Sequence, residues 1–294
     1  MRIGFVGLGN MGSRIAGRML EGGHELVVHN RTRAKAEPLI ACGAQWRNSP
    51  REVAAEAEAV FTMVSEPAAL AAVTDGPDGI LAGIRGGSVY VDLSTVSPMV
   101  SRRLAERVRE KGADMLDAPV SGSPVSIEEG KLSFMVGGKV EVLERVRPVL
   151  ESLGSAVTHV GGNGQGSLMK LATNLSIAVQ FMVFCEGVVL AEKGGIPRDR
   201  ALQVLLNSAM ASPMLKYRGP MVIKGYDPGI FDVNMMQKDL NLALEVARTL
   251  DVPLPTTAAT NEVLTATRAL GMADKDFAAM FETLSMMAGM RSRS

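Results

Sequence analysis

Lys170 and Asn174 stand four residues apart, so in a helix they share one face. They follow the glycine-rich run Gly161-Gly162-Asn163-Gly164-Gln165-Gly166. A lysine so placed can protonate the oxygen of a carbonyl group as hydride arrives at its carbon. The asparagine can fix the reacting molecule or orient the lysine. A second segment, Asp117-Ala118-Pro119-Val120-Ser121-Gly122-Ser123, ends in a turn whose backbone N–H groups and hydroxyls could cradle a carboxylate. A third is Gln237-Lys238-Asp239-Leu240. Each is weak alone, since a Lys/Asn pair is most often a solvated helix surface and a Gly/Ser turn only a turn. Their weight comes from occurring together.

Such a reduction needs a hydride source, and Gly7-Leu8-Gly9-Asn10-Met11-Gly12 offers a place for one. This GxGxxG follows the apolar run Ile3-Gly4-Phe5-Val6 directly and opens a helical pattern, the context a dinucleotide motif requires. Gly7 permits a tight turn, Gly9 lets the backbone approach a pyrophosphate, and Gly12 lets helix and strand pack closely. The N–H groups and dipole of the helix start then face the phosphates. An NAD site usually places Asp or Glu at the end of the second strand, about 20 residues on. This chain reads His29-Asn30-Arg31-Thr32 there, with Arg33 and Lys35 close behind. A carboxylate would repel a 2′-phosphate, whereas Arg31 can grip it. Two such bonds, at about 1.5–3 kcal/mol each, favour NADP over NAD by about a hundredfold or more before desolvation costs. NADP(H) is therefore the expected cofactor, held by Gly7, Leu8, Gly9, Asn10, Met11, Gly12, Asn30, Arg31, Thr32 and Lys35.

The elements that must position these residues fall into two regimes. Up to about residue 160, short β-like runs alternate with helical patterns. The runs are Ile3–Val6, Glu25–His29, Val60–Val64, Ser88–Asp92, Asp114–Ala118, Ser133–Val136 and Thr158–Val160; the helical stretches include Met11–Glu21, Ala34–Ala41 and Pro98–Lys111. That alternation predicts a parallel, doubly wound α/β sheet of the Rossmann kind. Beyond the glycine-rich run the apolar spacing is helical throughout, as at Leu168, Leu171, Leu175, Val179 and Met182. The expected division is a dinucleotide-binding domain over 1–163 and an all-α substrate and oligomerisation domain over 164–294. The first helix of the second domain is predicted over about Gly166 to Lys193, and the tail Arg291-Ser292-Arg293-Ser294 is predicted to fray.

Composition narrows the class of protein. With 294 residues, 47% hydrophobic and 21% charged, the chain can bury a sizeable core. Its net charge of zero gives no global field that would attract nucleic acid or an anionic membrane. The stretch Leu175 to Ala191, interrupted by Gln180 and Glu186, falls short of the roughly 20 apolar residues a membrane span needs and reads as a buried helix. The first residues lack the features of a signal peptide. Cys42 and Cys185 cannot make a disulfide framework. A reducing, cytoplasmic setting is expected.

Taken together, GLGNMG, DAPVSG, the GxGxxxK…N segment and KD resemble the β-hydroxyacid dehydrogenase family, the relatives of 3-hydroxyisobutyrate dehydrogenase, along essentially the whole chain. The resemblance implies a Rossmann-like domain followed by an all-α domain. It implies that Lys170 is the catalytic acid/base and that Ser121, Gly122 and Asn174 contact the substrate. Thr95 and Lys238 match positions near the nicotinamide end of the cofactor, and Met63 and Val64 complete the cofactor set. The family commonly has SGG where this chain has Ser121-Gly122-Ser123. With Asn30-Arg31-Thr32, Ser212-Pro213-Met214-Leu215-Lys216 and Asn261-Glu262, the chain looks like the NADPH-dependent glyoxylate/succinic semialdehyde reductase branch. That likeness adds Phe231 and Asp239 to the substrate residues, beside Ser123. It implies a small aldehyde acid as substrate, a homodimer or homotetramer, and no metal. Open alternatives are a 3-hydroxyisobutyrate or tartronate semialdehyde type dehydrogenase, an imine reductase, whose members usually lack the lysine, and a non-catalytic dinucleotide-binding scaffold.

Overall fold

A computed structural model describes residues 1–290, so the tail from Arg291 lies outside the described residues. Nine strands form one sheet: β1 (Arg2–Val6), β2 (Glu25–His29), β3 (Gln45–Trp46), β4 (Ala59–Thr62), β5 (Val89–Asp92), β6 (Asp114–Asp117), β7 (Val120–Ser121), β8 (Ser133–Gly137) and β9 (Ala156–Gly161). Their order is β3-β2-β1-β4-β5-β6-β8-β7, with β9 also paired to β8. From β3 to β6 every pairing is parallel. The sheet is not parallel throughout, since β8 runs antiparallel to both β6 and β7.

The central strands are buried on both faces, so they read as nearly continuous apolar runs. Phe5, Phe61, Val91 and Leu116 pack on one face with Ile15 and Met19 of the helix Asn10–Glu21. Val27, Val60, Tyr90 and Met115 pack on the other with Leu104 and Val108 of the helix Pro98–Glu110. The predicted helix over Ala34–Ala41 is in fact a 3-10 turn, Arg33–Lys35, and a separate helix, Glu37–Ala41. Pro38 is the reason: it has no N–H to continue a helix and is tolerated only in the first turn of a new one.

After residue 161 the described residues contain helices and a single isolated bridge, Asp232 to Asp276. The long helix is Gln165–Lys193. Chain contacts divide the molecule into Met1–Lys170 and a helical unit from Leu171 onward. By length and composition the helix could cross a membrane, which the apolar stretch read from Leu175 to Ala191 did not show. The helical unit is built around Phe181, Phe184, Leu240, Leu264, Phe277 and Phe281.

Within this unit Arg218 and Asp276 form a buried ion pair, 2% and 0% exposed. Arg218 donates to both carboxylate oxygens, at 2.9 and 3.3 Å, and lies 4.2 Å over the ring of Phe277. Asp276 also accepts the N–H groups of Ile230, Phe231 and Ala278 at 3.0–3.2 Å. Removing one partner of such a pair leaves an uncompensated buried charge. Asp276→Ala is expected to lose about 3–5 kcal/mol of stability, read as a lower urea midpoint with an unchanged slope.

Candidate active site

The turn after β1 is built by close backbone approach. Gly7 adopts φ +102°, and a Cβ there would stand 2.3 Å from the carbonyl oxygen of Met63. A Cβ on Gly12 would stand 2.1 Å from the carbonyl oxygen of Gly7. At Gly9, by contrast, nothing lies within 4 Å of that position. The helix Asn10–Glu21 therefore starts beside open space, with no side-chain cap on Gly9 and no acid in its first turn. Its first N–H groups and positive dipole end are left for an anion. The chemistry of this cradle fits a dinucleotide pyrophosphate.

Asn30 ties the turn to the end of β2. Its Oδ1 accepts the N–H of Leu8 at 3.0 Å, and its Nδ2 donates to the carbonyl of Thr32 at 2.9 Å. Asn30 thus shapes the loop with its side chain, and Leu8, buried in the core, presents only backbone outward. Met11 likewise packs against the core, whereas Asn10 is exposed. Of the basic residues that follow, Arg33 is committed to Glu37 at 3.3 Å and to the face of Trp46. Arg31, Thr32 and Lys35 are exposed, and no ion pair is recorded for Arg31 or Lys35 among the described residues.

The loops after β4 and β5 are joined at the same edge of the sheet. Val64 donates its N–H to the Ser94 hydroxyl at 3.0 Å, and Met63 donates to the Val6 carbonyl. Asp92 Oδ1 accepts from both Thr62 Oγ1 and the Ser94 N–H, at 2.8 and 3.0 Å. Thr95 follows directly, half-buried. The loop after β4 adjoins the point where strand order reverses between β1 and β4, the place where doubly wound sheets take their ligands, and the loop after β5 stands beside it.

Ser121 ends β7, and Gly122 then adopts φ +149°. The positive φ favours glycine here, and a Cβ would also make the Leu132 side chain shift from 2.7 Å. Ser123 follows, and its polar groups meet those of Ser126. Its hydroxyl accepts the Ser126 N–H, and its own N–H donates to the Ser126 hydroxyl at 3.1 Å. This reciprocal cap starts the helix Pro124–Glu128 and uses the polar groups of Ser123 for structure.

Lys170 is half-buried on the long helix, one turn before Asn174. Asn174 is buried, and its Nδ2 donates to Asp239 Oδ2 at 2.6 Å. The other oxygen of Asp239 stands 3.0 Å from Lys238 Nζ. Asp239 is thus engaged on both oxygens and acts on Asn174 and Lys238. Phe231 is half-buried, its N–H held by Asp276 and its ring set edge-on to Phe277 at 85°. Neither Asp276 nor Arg218 stood out in the sequence.

A residue quoted above only as part of its motif also emerges. Asp117, fully buried at the end of β6, accepts the Gly164 N–H at 2.7 Å and the Ser167 N–H at 2.8 Å. Burial pushes its carboxyl up to about 6, against the opposing pull of those N–H groups.

Residues 2–161 match the family described as the NAD binding domain of 6-phosphogluconate dehydrogenase. Residues 164–284 match the family described as NAD-binding of NADP-dependent 3-hydroxyisobutyrate dehydrogenase. The chain is 37% identical to 2-hydroxy-3-oxopropionate reductase of Escherichia coli (strain K12), covering 98% of each chain. It is 36% identical to the chloroplastic glyoxylate/succinic semialdehyde reductase 2 of Arabidopsis thaliana, covering 96% of this chain and 79% of that one. A solved 3-hydroxyisobutyrate dehydrogenase from Salmonella typhimurium superposes with a TM-score of 0.88 at 29% identity, covering 96% and 99%.

The glycine geometry separates binding from folding. Gly9→Val places its side chain in open space, so its melting temperature should match the wild type while binding of a reduced nicotinamide dinucleotide, followed by nicotinamide fluorescence, is lost. Gly12→Ala must push against backbone and should lower the melting temperature as well.

Proposed function

We propose that this chain, which belongs to the β-hydroxyacid dehydrogenase family related to 3-hydroxyisobutyrate dehydrogenase, uses NADPH to reduce a small aldehyde acid to the hydroxy acid. The observation that carries this reading is the double use of the end of β6. It leads within four residues into Ser121-Gly122, and it seats the start of the helix bearing Lys170.

The roles follow from chemistry. Bound NADPH supplies hydride to the carbonyl carbon. Lys170 donates its ammonium proton to the carbonyl oxygen, which would otherwise build negative charge. The Ser121 hydroxyl and the Gly122 N–H hold the substrate carboxylate. Asn174, locked by Asp239, keeps the helix face that carries the lysine in register. Arg31 and Lys35 take the 2′-phosphate, since Arg33 is already engaged.

Glyoxylate and succinic semialdehyde, each an aldehyde with a carboxylate, are the substrates of this reading. A second reading, 2-hydroxy-3-oxopropionate, is favoured by a relative of that activity at 37% identity beside the 36% of the glyoxylate/succinic semialdehyde reductase. Lys170 speaks against the imine reductase and scaffold alternatives. The reading includes a cytoplasmic homodimer or homotetramer whose contact covers Val183 and Leu190, which stand 52% and 76% exposed on the long helix.

NADPH oxidation assayed with the three aldehyde acids should give turnover with at least one, and failure of all three would overturn the reading. Lys170→Ala should lower kcat at least about a hundredfold with NADPH binding intact. Near-normal turnover in that variant would remove Lys170 from the role. Arg31→Ala should raise KM for NADPH by about tenfold or more, the value of one charged hydrogen bond, and leave KM for NADH unchanged. An equal rise for both cofactors would count against 2′-phosphate recognition.

A further inference from the structure

Asp117 is a carboxylate with no exposure, and each of its oxygens accepts a backbone N–H. What it touches is the first turn of the long helix. Helix starts leave N–H groups without partners inside the helix. Here Asp117 takes two of them, one on each oxygen, from Gly164 and Ser167. The same turn is fastened by three further contacts. The Ser167 and Ser101 hydroxyls bond at 2.8 Å, buried. Asn163 Nδ2 donates to the Met115 carbonyl at 2.8 Å. Gly166 packs so closely that a Cβ would stand 2.3 Å from the Asp117 carbonyl and 2.5 Å from that of Met135. Lys170 is three residues beyond Ser167 on that helix, and Ser121 is four residues beyond Asp117 in the chain.

We propose that Asp117 is a positioning residue for the proton donor: its ionised carboxylate fixes the start of the helix, and so the placement of Lys170, relative to the Ser121-Gly122 turn. This rests on the reading of Lys170 as the general acid. Asp117 donates nothing to substrate. It acts by holding two amides that only an acceptor on each oxygen can hold together.

The charge state of Asp117 gives the proposal a signature. The charged group that acts on it is Asp92 on the neighbouring β5, and β8 faces it with the backbone of Gly137; on the elements packed nearby, Arg102 of the helix Pro98–Glu110 is turned to the Asn163 carbonyl and His159 of β9 to the Gly138 carbonyl. Burial and, to a smaller extent, Asp92 raise the carboxyl from 3.8 to about 6. Protonation turns one oxygen into a poorer acceptor, so the grip on the helix start loosens as pH falls through that value. The linkage runs the other way. The folded protein binds this proton more tightly than the unfolded chain, so between the two values this group adds stability as pH falls and loses it as pH rises. A loss of turnover on acidification therefore cannot come from Asp117 unfolding the protein.

The test is the pH profile of kcat for aldehyde-acid reduction at saturating NADPH, in wild type and Asp117→Asn. The wild type should show an acid limb near pH 6 with its melting temperature holding across that limb. Asp117→Asn should lower kcat at neutral pH about tenfold to a hundredfold, the scale of a misplaced reacting group. It should also lose the acid limb and keep the wild-type Kd for NADPH. A kcat within twofold of wild type, or a limb retained in the variant, overturns the proposal. If Asp117→Asn does not fold, the wild type carries the test by amide hydrogen exchange corrected for intrinsic rate. Protection at Gly164 and Ser167 should fall below pH 6 while that of β1 does not; equal protection at both pH values overturns it. Lys170→Ala separates the two claims: near-normal turnover there removes the general acid, whereas an inactive Lys170→Ala beside a normal Asp117→Asn removes only the positioning role.

Discussion

The approach of helix starts to the carboxyl ends of the strands is the constraint on which the rest of this structure depends. Helix and strand can meet there only where side chains are absent. Gly12 sits against the Gly7 carbonyl, Gly7 against that of Met63, and Gly166 against those of Asp117 and Met135. The two helix starts then differ in how their unpaired N–H groups are satisfied. The long helix is closed internally by the Asp117 carboxylate. The helix Asn10–Glu21 has no acid and no side-chain cap. A positive dipole end with free donors is a place for an anion, so the same device yields a phosphate site at one end and a structural anchor at the other.

This contrast explains what was legible in the sequence. GxGxxG after a strand announces itself because its reasons are local: the turn, the close approach and the helix start fall within six residues. The long strands and the switch to helical spacing after the glycine-rich run are legible for the same reason. The strands Gln45–Trp46 and Val120–Ser121 were not, because two residues show no alternation and owe their form to a neighbour in the sheet. Asp117 was readable only as a letter in a motif, since its partners lie 47 and 50 residues away and are backbone amides. The same holds for Asp276, whose partners Arg218, Ile230 and Phe231 lie 45 to 58 residues away.

Several residues chosen for chemistry also hold the local structure. Asn30 ties the loop after β2 to Leu8, and Ser123 caps a helix. Asp239 holds Asn174 and Lys238 with its two oxygens. Residue type and spacing bring polar groups to one neighbourhood, but they do not say which of them is already bonded. A buried polar group must find its partners within the protein. Counting those partners shows which side chains already serve the fold.

The division of labour along one helical turn follows from the same counting. Lys170 is the last residue of the sheet-containing unit and Asn174 lies in the helical one. Upstream, the turn that leads to Lys170 is anchored by Asp117 and Ser101 through Ser167. Downstream, Asn174 is anchored by Asp239. A lysine side chain is long and flexible and costs rotamer entropy to hold. Anchoring the backbone on both sides of it fixes the base of that side chain and leaves only its own rotations to be restricted by what it meets. One extra methylene in a pocket is worth only about 1–3 kcal/mol of discrimination. On the proposed reading, with Lys170 as proton donor and Ser121-Gly122 as carboxylate cradle, choice among aldehyde acids that differ by a carbon or two depends on how firmly these two are held at one distance, and in the sheet-containing unit the end of β6 adjoins both.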